Sequence, residues 1–148
     1  MAVFKIRFPD ANNLMNVDAL LFVYGSLRRG SGHAMSSWLS ERAVWEGEAS
    51  VEGALYRVSW YPALVPASGA GQVRGDLYRL PSSLLPELDA YEDIGPQADD
   101  EYRREQGLVQ AAGGSHMAWI YWYVQTVEGM EPVPGGDWLQ YQEGLSLE

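Results

Sequence analysis

The feature that most constrains this chain is the apolar run Leu20-Leu21-Phe22-Val23, which stops at Tyr24-Gly25 and is followed by Gly30 and Gly32. An uninterrupted apolar run this short suits a strand buried on both faces. The segment His33-Ala34-Met35-Ser36-Ser37-Trp38-Leu39 that comes next is helix-compatible. A strand that breaks at a glycine and feeds a helix presents successive backbone N–H groups at the loop. Such groups hold a carboxylate, a phosphate or a developing oxyanion. The loop 24–30 is therefore half of a candidate site.

The rest of the chain reads as further strands with one convincing helix. Ala43–Ala49 and Val51–Val58 alternate loosely, and Gly47 and Gly53 within them predict bulges or close backbone approaches of a curved, barrel-like sheet. Ser59–Pro66 is apolar but carries Pro62 and Pro66, so it is expected as a loop covering core or pocket rather than a central strand. Gln72–Leu80 returns to strand character, and its Gly75-Asp76-Leu77-Tyr78-Arg79 echoes Gly53-Ala54-Leu55-Tyr56-Arg57 in what reads as the same kind of sheet position. Ser82 is expected to cap a helix with Leu84, Leu85, Leu88 and Tyr91 on one face, ended by Ile94-Gly95-Pro96. Gln97–Glu101 reads as an acidic loop. Tyr102–Ala111 and Met117–Val124 read as strands around an Ala112–Ser115 turn, and Asp137–Tyr141 as a short helix. Val3–Phe8 is an expected edge strand, and Pro9–Asn13 a loop.

Composition narrows the functions available. The chain has 148 residues and 47% hydrophobic residues, enough for a core without staples, and no linker divides it. With no cysteine, disulfides, thiolate metal sites and Cys nucleophiles are excluded. The net charge of −10 argues against a nucleic-acid partner. No apolar run approaches bilayer length, and Met1–Asn16 lacks a continuous apolar stretch. The expectation is a cytoplasmic protein with neither membrane nor signal peptide. Arg28-Arg29 and Arg103-Arg104 are basic pairs in an acidic chain, suited either to an anionic small molecule or to acidic neighbours.

Several chemistries fail on the residues. Gly25 and Gly30-Ser31 have P-loop spacing without the lysine, and Ser26 lacks the Gly-x-Ser-x-Gly context of a serine hydrolase. His33 and His116 show no spacing that links them to metal ligands. Among the carboxylates Glu92 stands out. It follows Leu85 and Leu88 by seven and four residues and so points to the buried face, while Asp89 and Asp93 are expected to rotate away. A carboxylate in an apolar cavity has its pKa raised, which suits a general base that returns its proton. A buried tie from Glu92 to Arg103 or Arg104 is the equally open structural alternative.

Tyr24-Gly25-Ser26-Leu27-Arg28-Arg29-Gly30 resembles the N-terminal signature of the gamma-glutamylcyclotransferase-like (AIG2-like) family. So do Tyr61–Pro66 with Val73–Tyr78, Leu88-Asp89-Ala90-Tyr91-Glu92, Tyr102-Arg103-Arg104 and Ala118–Tyr121, in family order over about residues 20–125. The resemblance implies an α/β (α+β) fold in one domain over 1–148, a small mixed β-barrel with flanking helices, with extensions at 1–17 and 128–148. It implies that Glu92 is the general acid/base and that Tyr24, Gly25, Ser26, Leu27 and Tyr102 bind a small gamma-glutamyl substrate. The implied reaction is attack of the substrate's α-amino group on its own γ-carbonyl, giving 5-oxoproline and a free amine or amino acid, with no metal and no cofactor. A non-catalytic binding module of the same fold is the alternative. The aromatic strand with Trp119, Tyr121, Trp122 and Tyr123 is expected to face the core on one side and a homodimer partner on the other.

Overall fold

A computed structural model describes residues 17–91 and 101–146. In chain order it comprises β1 (Asp18–Val23), α1 (Ala34–Arg42), β2 (Val44–Glu52), β3 (Ala54–Arg57), β4 (Pro62–Val65), β5 (Gln72–Pro81) and α2 (Leu85–Tyr91). These are followed by β6 (Tyr102–Ala111), β7 (Gly114–Tyr123), β8 (Glu131–Pro132) and α3 (Trp138–Ser146). Five strands close a barrel in the order β1-β5-β2-β6-β7, and β4-β3-β8 form a second sheet.

The apolar run behaves as its composition demands. β1 pairs antiparallel with β5 (Leu21 opposite Tyr78) and parallel with β7 (Leu21 opposite Trp119), so it has no free edge. Side chains alternate across a strand. Phe22 accordingly joins Ala49, Val51, Val73, Leu77, Val109 and Ile120, a cluster fed by one face of all five barrel strands. Leu21 and Val23 join Leu39 of α1 and Leu85 and Leu88 of α2 in a second cluster on the other face. The β7 aromatics divide the same way: Trp119, Tyr121 and Tyr123 pack with the second cluster and Trp122 against the first.

Curvature is concentrated at glycines. The β2–β5 register shifts between Trp45 and Gly47, where φ is +124°, and the bulge bends β2. At Gly75 a β-carbon would lie 2.6 Å from Phe22 Cζ and closer still to the Val23 carbonyl oxygen. Gly53 marks the point at which the chain leaves the barrel for the second sheet; a β-carbon there would meet the Val65 carbonyl at 2.8 Å.

Several expectations change. Pro62–Val65 is a strand rather than a loop, but an edge strand with Pro62 as its first residue, where the missing N–H costs no ladder bond. The two Leu-Tyr-Arg echoes lie in different sheets, one in β3 and one in β5. Ser82 opens a 3₁₀ turn, Ser82–Leu84, with Pro81 at the capping position, and α2 begins only at Leu85. The chain after Glu128 folds onto the barrel: Val133 and Trp138 (2% exposed) enter the first cluster. The expected edge strand Val3–Phe8, the loop Pro9–Asn13, Glu92, Asp93, the stop Ile94–Pro96 and loop residues 97–100 lie outside the described residues. No helix among the described residues is long and apolar enough to cross a membrane.

Because Gly75 admits no side chain against β1, Gly75→Ala lowers unfolding stability by about 3 kcal/mol, the upper end for overpacking. Urea titration checks this as a lower midpoint at unchanged slope.

Candidate active site

The loop after β1 is tied down bond by bond. Arg28 N–H donates to the Gly25 carbonyl at 3.0 Å, closing a turn over Gly25–Arg28, and Ser31 N–H donates to the Arg28 carbonyl at 3.1 Å. The Ser31 hydroxyl donates to the Ser26 carbonyl at 2.6 Å, and the Ser36 hydroxyl to the Arg28 carbonyl at 2.8 Å. His33 caps α1 by accepting the Met35 N–H on Nδ1 at 3.0 Å.

Beneath the loop sits Asp76, 2% exposed. Its carboxylate accepts from Arg28 Nε at 3.2 Å, the Arg29 N–H at 3.0 Å and Trp45 Nε1 at 3.1 Å. Arg28 Nη1 also reaches Asp137 at 3.0 Å, and the Arg29 guanidinium lies over the Trp45 ring. Arg28 and Arg29 are therefore bound to acidic and aromatic neighbours. Among the described residues no group accepts from the N–H of Ser26 or Leu27.

A cavity of about 350 Å³ lies over this turn. Tyr24, Gly25, Ser26, Leu27 and Tyr102 all line it, so the structure brings together the five described residues that the resemblance assigns to substrate. Gly25 is packed against Pro62, whose Cγ would lie 3.1 Å from a β-carbon there. The Tyr102 hydroxyl donates to the Pro62 carbonyl at 2.6 Å, and the Tyr24 hydroxyl to the Tyr121 carbonyl. Glu92 lies outside the described residues; the residue before it, Tyr91, lines the cavity and shares a 2.7 Å hydrogen bond with Ser26 Oγ.

The cavity also holds residues that the sequence pattern left unassigned: His33, Trp60, Tyr61 and Glu101. The Tyr61 hydroxyl donates to Glu101 Oε1 at 2.7 Å. Burial, and then the Glu101 hydrogen bond and charge, push the Tyr61 pKa up to about 12, so Tyr61 remains a donor throughout neutral pH. Tyr123 is pushed up by burial and by the charge of Glu101. In sequence Glu101 is one more acid after Asp99 and Asp100, with nothing in the pattern to single it out. His116, in contrast, is exposed on β7, and among the described residues no cluster of three or more His, Asp or Glu forms that could hold a metal.

The expected tie from Glu92 to Arg103 or Arg104 involves a residue outside the described ones, and among the described residues a partly buried tie near α2 joins Arg104 to Asp89. Arg104 donates to both Asp89 oxygens, Nε at 2.7 Å and Nη2 at 2.9 Å, and the Tyr121 hydroxyl adds a 2.8 Å bond to Oδ1. Asp89, four residues after Leu85, thus faces the barrel instead of rotating away. Burial raises its pKa, yet hydrogen bonds from Arg104 and Tyr121 and the Arg104 charge outweigh that and hold it below the ordinary value. The same bond raises the Arg104 pKa. Arg103 is exposed and reaches Glu105 at 3.5 Å.

Residues 21–140 match the model of the gamma-glutamyl cyclotransferase, AIG2-like family. The chain belongs to that family. It is 41% identical over 120 residues to the gamma-glutamylcyclotransferase family protein ytfP of Citrobacter rodentium, an alignment covering 80% of this chain and 94% of that one. Of solved structures, it resembles the solution structure of ytfP from Escherichia coli (37% identical, TM-score 0.58, covering 83% of this chain and 98% of that one). It also resembles the crystal structure of a mouse AIG2-like protein (25% identical, TM-score 0.61, covering 74% and 79%). The closed barrel with flanking helices is thus the fold of this family.

Two outcomes check the tethers around the cavity. Asp76→Ala removes the shared acceptor of Arg28 Nε, the Arg29 N–H and Trp45 Nε1, leaves Arg28 with Asp137 alone and costs about 3–5 kcal/mol, as loss of one partner of a buried pair does. For Asp89 the lowered pKa means that its stabilisation is present above the ordinary value of 3.8 and is lost as pH falls through the lower folded value. Asp89→Asn therefore lowers stability at pH 6 and flattens the decline below pH 4, measured by denaturant titration across that range.

Proposed function

We propose that the protein cyclises a γ-glutamyl group to 5-oxoproline with release of an amine or amino acid. The observation that carries this reading is the shared cavity: the Tyr24–Leu27 turn and the Tyr91 end of α2 face the same space, in a chain of this family. The α-amino nitrogen of the substrate attacks its own γ-carbonyl carbon, forming the lactam C–N bond. The C–N bond to the leaving amine then breaks. Glu92 accepts a proton from the attacking nitrogen and returns it to the leaving nitrogen. The ammonium's second surplus proton ends on the released amine, a cation at neutral pH.

The N–H groups of Ser26 and Leu27 meet the charge that develops on the carbonyl oxygen or hold the α-carboxylate. Their value lies in being fixed beforehand by the turn, so that no reorganisation is needed as charge forms. A 350 Å³ space suits a γ-glutamyl group held curled, and that proximity supplies a large share of the rate. The aromatic lining excludes water, which favours attack by the internal amine over hydrolysis.

The test is release of 5-oxoproline from a panel of γ-glutamyl dipeptides and γ-glutamylamines. The wild type turns over at least one of them, and Glu92→Gln lowers kcat by about 10²–10⁴-fold, the usual contribution of a general acid/base. A wild type that binds 5-oxoproline while turning over nothing on the panel is a binding module instead.

A further inference from the structure

We propose that Glu101, held in place by Tyr61, is the counter-charge that receives the substrate's α-ammonium group. The inference rests on the reading of this cavity as a γ-glutamyl site. Among the described lining residues Glu101 is the one that carries a formal charge at neutral pH, and neither lysine nor arginine is among them. No salt bridge to Glu101 forms among the described residues. A half-buried carboxylate without a cation calls for one from the ligand.

The pair also has a direction. Tyr61 occupies Oε1 with its 2.7 Å bond, which orients the carboxylate and leaves Oε2 for a second donor. The rings of Trp60, Tyr61 and Tyr102 stand around the same recess, and π-faces add attraction for an ammonium. At the turn the polarity reverses: the N–H groups of Ser26 and Leu27 suit the α-carboxylate of the same headgroup. An amino acid headgroup carries both charges on one carbon, so an acidic recess and an N–H turn in one cavity recognise it jointly. A glutaryl group, which has no amino nitrogen, satisfies the turn alone.

Two carboxylates then divide the work. Glu101 binds the headgroup, whereas Glu92 exchanges a proton. Removing Glu101 weakens substrate binding and so raises KM, while removing Glu92 lowers kcat.

The experiment compares the best γ-glutamyl compound of the panel with its glutaryl counterpart as ligands, by calorimetry on wild type, Glu101→Gln and Tyr61→Phe. Glu101→Gln keeps the shape and an acceptor for Tyr61, and circular dichroism confirms its fold. Wild type prefers the γ-glutamyl compound by at least about tenfold, the scale of a charged hydrogen bond. Glu101→Gln shrinks that preference to within about threefold and raises KM with little change in kcat. Tyr61→Phe, which only loosens the carboxylate, raises KM by about threefold. A Glu101→Gln protein that keeps the wild-type preference and KM overturns the inference and leaves the cyclisation reading intact. A wild type that neither binds nor turns over any γ-glutamyl compound overturns the reading of the cavity beneath it. Should Glu101→Gln fail to fold, an unchanged KM in Tyr61→Phe overturns the inference, and the threefold rise supports it.

Discussion

The buried contact of Asp76 with Arg28 holds the site together. Asp76 lies on β5 directly opposite Val23, the last residue of β1. It therefore sits where the barrel ends and the loop begins. A carboxylate buried this deeply is tolerated only when its lone pairs are filled, and Arg28 Nε, the Arg29 N–H and Trp45 Nε1 fill them. Two of these three donors belong to the loop, so satisfying the acid and fixing the loop are one event. Arg28 extends the tie to Asp137 at the start of α3, whose Trp138 is in the barrel cluster. Barrel, loop and C-terminal helix are fastened at a single guanidinium. The turn that carries Ser26 and Leu27 is anchored through it.

What was legible in the sequence follows from how local each signal is. Leu20–Val23 announces a doubly buried strand because burial on both faces leaves no polar alternation, and Gly25 marks its end because Pro62 presses on that backbone. That residues 24–27 and Tyr102 line one cavity could be anticipated because their order along the chain matches a family signature. Non-local contacts were not recoverable. Pro62–Val65 looks like a loop until β3 is known to supply its partner at a sheet edge. Asp89 reads as a solvent-side acid of α2 because helical spacing cannot show that Arg104, on β6, meets a carboxylate there. Glu101 is hidden most thoroughly: what sets it apart is its hydrogen bond with Tyr61, forty residues away in sequence.

Helix α2 shows how tertiary contacts, more than helical propensity, position the second side of the cavity. Seven residues with a proline at the second position make too short a helix to stand alone. Leu85 and Leu88 pin it to the second cluster, and Asp89 locks it to β6 through Arg104 and to β7 through Tyr121. Arg104 is itself braced on the Trp119 ring. The result is that Tyr91 arrives over Ser26, with one hydroxyl against another at 2.7 Å.

The same lock separates the acids by function. Asp89 and Glu101 both border the barrel's aromatic side, but Asp89 meets the Arg104 guanidinium as well as the Tyr121 phenol, and Glu101 meets the Tyr61 phenol. A guanidinium neutralises its partner and stabilises it as an ion pair, leaving no charge to offer a ligand. A phenol orients its partner without neutralising it, so the negative charge remains available to the cavity. Fold and site therefore use the same residue type in opposite ways, and the partner each acid meets decides which. In a protein with 20 acidic and 10 basic side chains, cations are the scarce resource. Arg28 and Arg104 are spent on the scaffold, and the cavity is left to take its positive charge from what it binds.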